Sequence, residues 1–292
     1  MSLATLDTTA QALDTTAQAL DATAQGLADY LTRPVSELRQ DPEAPERIAH
    51  FLDSLESGAV RAAERDADGS WHANAWVKSG ILAALALSET SALPGWPGGA
   101  VDKSLVPPRQ IEASHGIRLV PGGTSVRRGA GLAPGTVVMP PSYLNTGSWV
   151  GAGSMVDSHV LVGSCAQVGE GVHLSTAVQL GGVLEPVGAR PVVVEDDVFV
   201  GAQCGLFEGV VVRERAVLAP GVSLTSRTVL YDLVNGREVR GEVPAGAVVV
   251  PGSRPARGAY AEQLGLSLYA PVIVKYRDGS TDASTVLEEA LR

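Results

Sequence analysis

Leu144-Asn-Thr-Gly-Ser-Trp-Val150-Gly-Ala-Gly-Ser-Met-Val156-Asp-Ser-His-Val-Leu-Val162-Gly-Ser-Cys-Ala-Gln-Val168 is the stretch on which the fold turns. Every sixth residue in it is aliphatic. Followed backwards, the series continues in phase through Val138, Leu132 and Val126. Followed forwards it gives Leu174 and Leu180, pauses over 181–191, and resumes with Val194, Val200, Leu206, Val212, Leu218 and Leu224. All sixteen positions are Val or Leu, although those two types supply only 69 of the 292 residues. Four residues after the aliphatic position the side chain is mostly small or β-branched, as at Ala130, Thr136, Ser142, Ser148, Ser154, Val160, Ala166, Val172 and Val178.

A period of six fits neither the 3.6-residue helix nor the two-residue strand. It matches a parallel β-helix in which three hexads make one triangular coil and residues 18 apart stack. The expected fold is therefore mainly β, with the aliphatic residue filling a narrow prism and small residues turning its corners. Composition agrees: 33 Gly and 18 Pro accompany only 4% aromatic residues.

Outside the repeats, Leu6, Ala10, Leu13, Ala17, Leu20, Ala24 and Leu27 form a heptad-like seam, so 1–27 reads as an N-terminal tail. Residues 28–110 read as a mostly helical domain. Ile48, Phe51, Leu52 and Leu55 recur at helical spacing, and 80–87 reads as a buried helix. Asp68-Gly69 signals a turn in a short hairpin. The β-helix is assigned to 111–250 and a C-terminal β extension to 251–292. With 32 acidic against 22 basic residues, the net charge of −10 argues against nucleic acid as a partner. No apolar run is long enough for a membrane span. No basic segment followed by an apolar core opens the chain, so a cytoplasmic protein is expected.

Several non-repeat motifs occur in order: Leu55-Glu-Ser-Gly-Ala-Val-Arg-Ala-Ala-Glu64, Trp76-Val-Lys78, Tyr143-Leu-Asn-Thr-Gly147, Met155-Val-Asp157, Val172-His-Leu-Ser175, Gly181-Gly-Val-Leu-Glu-Pro186, Glu208-Gly209 and Ala270-Pro-Val-Ile-Val-Lys275. Together they resemble the bacterial tetrahydrodipicolinate N-succinyltransferase family over about residues 45–292. That resemblance implies a left-handed β-helix, a homotrimer with active sites between subunits, succinyl-CoA as co-substrate and no metal. The implied reaction is transfer of succinyl to the amine of 2-amino-6-oxopimelate, the acyclic form of tetrahydrodipicolinate, in the diaminopimelate–lysine pathway.

The resemblance also implies roles for residues. Asp157 is the expected catalytic carboxylate, suited to binding an ammonium and taking its proton. Arg118 is the expected guanidinium for a substrate carboxylate, with Arg127 a weaker candidate, and Ser175 and Glu185 complete the substrate set. Some members of the family carry a catalytic glutamate at the position of Gly205. Glycine cannot do that work, so either Glu208 or Glu185 replaces it, or the glutamate is dispensable and backbone amides polarise the thioester. Gly201, Ala202, Ala219 and Gly221 are small corner residues that would admit a pantetheine arm, and Arg254 and Lys275 would hold coenzyme A phosphates.

His159 and His173 lie 14 residues apart rather than 18, so they do not stack as metal ligands would. Cys165 and Cys204 are expected to be packed thiols. Two alternatives remain at this level: a related N-acyltransferase using acetyl-CoA or another acceptor, and a non-catalytic trimeric scaffold.

Overall fold

The computed structural model describes residues 24–95 and 99–278. From Arg118 onward the chain winds through two-residue strands joined by four-residue corners, forming three parallel sheets. One face holds Gly131–Leu132, Trp149–Val150, Gln167–Val168, Val193–Val194, Val211–Val212 and Glu242–Val243. The next, the long face, holds Arg118–Leu119, Val137–Val138, Met155–Val156, His173–Leu174, Phe199–Val200 and Val217–Leu218, and continues into Ala247–Val250. The third holds Ser125–Val126, Tyr143–Leu144, Leu161–Val162, Gln179–Leu180, Gly205–Leu206 and Ser223–Leu224.

The second residue of each strand in the hexad series points inward, and all sixteen of these Val and Leu residues are buried in one core. The small residues four positions on are buried as well, with hydroxyls returned to backbone at several coils. Ser154 Oγ, for example, donates to Gly169 O at 2.9 Å and accepts from Val172 N at 3.0 Å. The pairing register is 18 residues through most coils and widens to 26 across 181–191, so that loop adds eight residues to one coil.

Glycine serves this prism in two ways. Three residues after the inward position the chain enters the left-handed region: Gly221 does so at φ 79°, as Gly153 does at φ 67°. Directly after the inward position, at some coils, the next coil approaches too closely for a side chain. A Cβ on Gly201 would lie 2.6 Å from Leu218 O and Pro220 N.

The N-terminal domain covers the first face. In the helix Ala44–Ser57, Ile48, Phe51, Leu52 and Leu55 are buried, as their spacing predicts, and the helix ends on Gly58 in the left-handed conformation. The helix Ala75–Leu87 packs beside it. The hairpin Ala63–Arg65 and Trp71–Ala73 turns at Asp68-Gly69. Arg61 ties the domain to the prism: its guanidinium stacks on Trp149 at 4.3 Å and donates from Nε to Gln167 Oε1 at 2.8 Å. The boundary drawn at 27/28 falls inside a helix, because residues 24–31 are helical and Leu27 is buried in the same core as Leu31 and Phe51. Most of the heptad seam, 1–23, lies outside the described residues.

At the other end the strand Val272–Tyr276 runs antiparallel to Ala247–Val250 and parallel to Val229–Asp232, closing the long face. The arm Ser253–Pro255 pairs with Ser267–Tyr269 and is anchored to the last coil, where Ser223 N donates to Tyr269 Oη at 2.8 Å.

Candidate active site

Asp157 follows inward Val156, at the corner between the long face and the third face. Ser175, Gly201 and Ala219 occupy the same corner position in the next three coils. Backbone hydrogen bonds link them: Asp157 N to Leu174 O at 2.9 Å, Ser175 N to Val200 O at 2.9 Å and Gly201 N to Leu218 O at 2.8 Å. At ~4.8 Å per coil, this column runs roughly 14 Å along the prism. Ala202 and Gly221 flank it on the same corner. The structure thus gathers five of the predicted residues with Asp157 on one edge. The smallness of Gly201, however, is already demanded by the coil stacked on it.

The Asp157 carboxylate is half-buried and held at both oxygens. Ser158 N donates to Oδ1 at 2.7 Å, and Thr176 Oγ1 donates to Oδ2 at 2.7 Å. Its backbone carbonyl accepts from buried Ser142 Oγ at 2.9 Å. Thr176 is not expected from the sequence. The only signal for it is a spacing of 19, one stacking period plus one residue, which places it diagonally across from Asp157.

Arg118 is exposed at the start of the long face, two coils before Met155. It has no ion-pair partner among the described residues. Arg127 is committed elsewhere: its Nη2 donates to both oxygens of Asp102, at 2.7 and 2.6 Å.

Glu185 and Glu208 stand around the next corner, after the third face. There the 181–191 loop leaves the prism and, with Phe207 and Gly209, encloses a cavity of about 550 Å³. Glu208 accepts from Ser226 Oγ at 3.3 Å. Arg190, also lining the cavity, donates from Nε to Gly209 O at 2.9 Å. One chain therefore does not bring Asp157 together with Glu185 or Glu208. A whole face of the prism separates them.

Arg254 lies in the C-terminal arm, and Lys275 pairs with Val248 at the far end of the long face, 3.5 Å from Asp278. Both are thus near the end of the column remote from Asp157. His173 stacks on Phe199 with ring centroids 4.8 Å apart, and His159 is an exposed corner residue at φ 63°. No group of three metal-ligating side chains occurs among the described residues. Cys165 and Cys204 are buried, and burial pushes their thiols up to about 12 and about 11, so neither supplies a thiolate at neutral pH.

Residues 33–87 match the model of the N-terminal domain of tetrahydrodipicolinate N-succinyltransferase, and 191–226 match the hexapeptide repeat of succinyl-transferase. A relative from Mesorhizobium japonicum, named 2,3,4,5-tetrahydropyridine-2,6-dicarboxylate N-succinyltransferase, is 48% identical over 257 residues, covering 86% of this chain and 89% of its own. The chain belongs to the tetrahydrodipicolinate N-succinyltransferase family. Relatives of the same name from Ruegeria pomeroyi and Nitrobacter hamburgensis are 48% and 41% identical, covering 85% and 86% of this chain and 89% and 90% of their own. The family is one of acyltransferase enzymes, and the three-faced β-helix is what its hexapeptide repeats build in this chain. No helix among the described residues is long and apolar enough to cross a membrane.

Proposed function

We propose that this chain transfers succinyl from succinyl-CoA to the amine of 2-amino-6-oxopimelate, with Asp157 as the group that receives the acceptor's ammonium. The observation that carries this reading is the Asp157 carboxylate at the head of a column of small corner residues. A thioester arm laid along Ala219, Gly201 and Ser175 would end beside it. Asp157 orients the ammonium and takes a proton; the freed lone pair attacks the thioester carbonyl. The new C–N bond forms as the C–S bond breaks. Sulfur leaves with the bonding electrons and is protonated by the second proton that the nitrogen sheds as it becomes an amide, while Asp157 passes the first proton to solvent. Arg118 supplies a guanidinium for an acceptor carboxylate. Arg254 and Lys275 supply cations for the phosphates of coenzyme A.

The working unit in this reading is a cytoplasmic homotrimer with its sites between subunits. Two features support it. The outward residues of the long face are largely apolar, with Val137, Met155, Phe199, Val217 and Val248 each only half-buried in one chain. The Asp157 corner and the loop bearing Glu185 lie on different corners, so a neighbour's loop is what could face Asp157.

A thiol-release assay with tetrahydrodipicolinate as acceptor tests the donor assignment. Succinyl-CoA is expected to turn over at least roughly tenfold faster than acetyl-CoA. Equal rates would favour the acetyl-transfer reading, and no thiol release with either donor would favour a scaffold.

A further inference from the structure

Lys78 lies in the helix Ala75–Leu87 and is completely buried. Lysine is almost never fully buried without a partner. No carboxylate pairs with Lys78 among the described residues. Its Nζ instead donates to Ala189 O, in the 181–191 loop. Burial depresses the pKa of its amine, and the neighbouring Cys165 thiol, itself raised by burial, offers no compensating negative charge. Sinking an uncompensated ammonium into a core is costly, and the hydrogen bond that offsets this cost runs to that loop.

The loop is otherwise fastened mainly at its ends. Val183 N donates to Ser164 O at 3.2 Å, and Leu184 packs against the N-terminal core. Arg190, next to Ala189, donates to Gly209 O at 2.9 Å and to Gly241 O at 3.4 Å. Between these ties Glu185 stands exposed, with no hydrogen-bond partner among the described residues. We propose that Lys78 is the positioning residue of the 181–191 loop, tying it to the N-terminal domain and thereby setting where Glu185 stands. This rests on the reading that the loop borders the acyl-transfer site. It gives the N-terminal domain a part in the reaction without contact with substrate.

Lys78→Met keeps the length of the side chain and removes its charge and donor. Lys78→Gln keeps a shorter donor and stands in if the Met variant does not fold. Two readouts are taken well below the melting temperature: amide hydrogen exchange of peptides spanning 181–191, and steady-state kinetics with succinyl-CoA. Exchange in the loop is expected to quicken about tenfold or more. kcat per active site, with sites counted by coenzyme A titration, is expected to fall roughly 10- to 100-fold with KM for succinyl-CoA within about twofold; counting the sites separates this from a loss of folded enzyme. Lys78→Gln should lie between Lys78→Met and the parent in both. Unchanged exchange would overturn the clasp, whatever the turnover. Faster exchange with unchanged kcat would leave the clasp standing but remove the loop from the reaction, overturning both the positioning role and the placing of the loop at the site.

Discussion

The ring of Phe207 lies over the α-carbon of Gly205: a Cβ built there would meet Phe207 Cε2 at 2.5 Å and Cζ at 3.0 Å. The same ring covers Gly181 in the preceding coil, where a Cβ would come within 2.7 Å of Cδ1. Phe207 thus fills the space that any larger side chain at 205 would need. Gly205→Glu alone is expected to cost about 1–3 kcal/mol, the scale of overpacking. Adding Phe207→Ala should remove most of that cost, giving a favourable coupling in a double-mutant cycle read by thermal melting. A Gly205→Glu variant that melts with the parent would show that the ring swings aside freely.

Asp157→Asn keeps the shape of the side chain and loses its charge. kcat/KM for the amine acceptor is expected to fall ~10²-fold or more, while the affinity for coenzyme A stays within about twofold, since the nucleotide-binding candidates lie at the other end of the column. Thr176→Val removes the hydroxyl that holds Oδ2 and should cost roughly fivefold in kcat, the worth of one net hydrogen bond. Near-normal turnover by a folded Asp157→Asn enzyme would move the base elsewhere, with His159 or His173 next to be tested.

What could be read from the chain and what could not divide along physical lines. The inward Val and Leu residues were legible because one face of every hexad meets the same apolar prism, so the period survives in the letters. Asp157 was legible through the resemblance of Met155-Val-Asp157 to the family motif and not through the hexad period, because the residue after the inward position varies from coil to coil. Thr176 was not, since its contact spans one coil and becomes visible only when the stacking register is fixed. Lys78 stands within a legible motif, yet its partner Ala189 lies 111 residues away and offers a backbone carbonyl, which leaves no mark in sequence. The separation of Asp157 from Glu208 is a matter of which corner each occupies. The extra eight residues of the loop leave the hexad phase intact on either side and give no clue to it.

Asp232 supplies a pH test independent of catalysis. It is buried, which works against its charge, but Asn235, Tyr276 and Arg237 all donate to its Oδ2, and the balance lowers its carboxyl to about 2. A carboxyl whose folded pKa lies below its unfolded value stabilises the fold above the unfolded value, and that contribution fades as pH falls toward the folded one. Asp232→Asn should therefore destabilise by about 1.5–3 kcal/mol at roughly pH 6–7, the range for hydrogen bonds to a charged group. The gap should narrow between about pH 4 and pH 2. A difference in melting temperature that stays constant across that interval would mean the carboxylate charge is not what holds Asn235, Arg237 and Tyr276 around Asp232.

If sites form between subunits, two inactive chains should repair one another. Asp157→Asn leaves the 181–191 loop intact, and a Glu185→Gln/Glu208→Gln chain leaves Asp157 intact. In a trimer each site would take its Asp157 corner from one copy and its loop from the next. Co-expressed at equal levels and mixed at random, the two chains would place a wild-type corner beside a wild-type loop at roughly a quarter of sites, as cyclic symmetry requires. Thiol release by the co-expressed mixture should then approach about a quarter of the parent rate, with light scattering giving three times the 30.1 kDa chain mass. A mixture no faster than the average of its two parents, at trimeric mass, would place each complete site within a single chain. A fully active monomer would abolish the shared groove altogether. A fast Glu185→Gln/Glu208→Gln enzyme would show that Asp157 works without a carboxylate partner, leaving positioning and polarisation of the thioester to carry the rate.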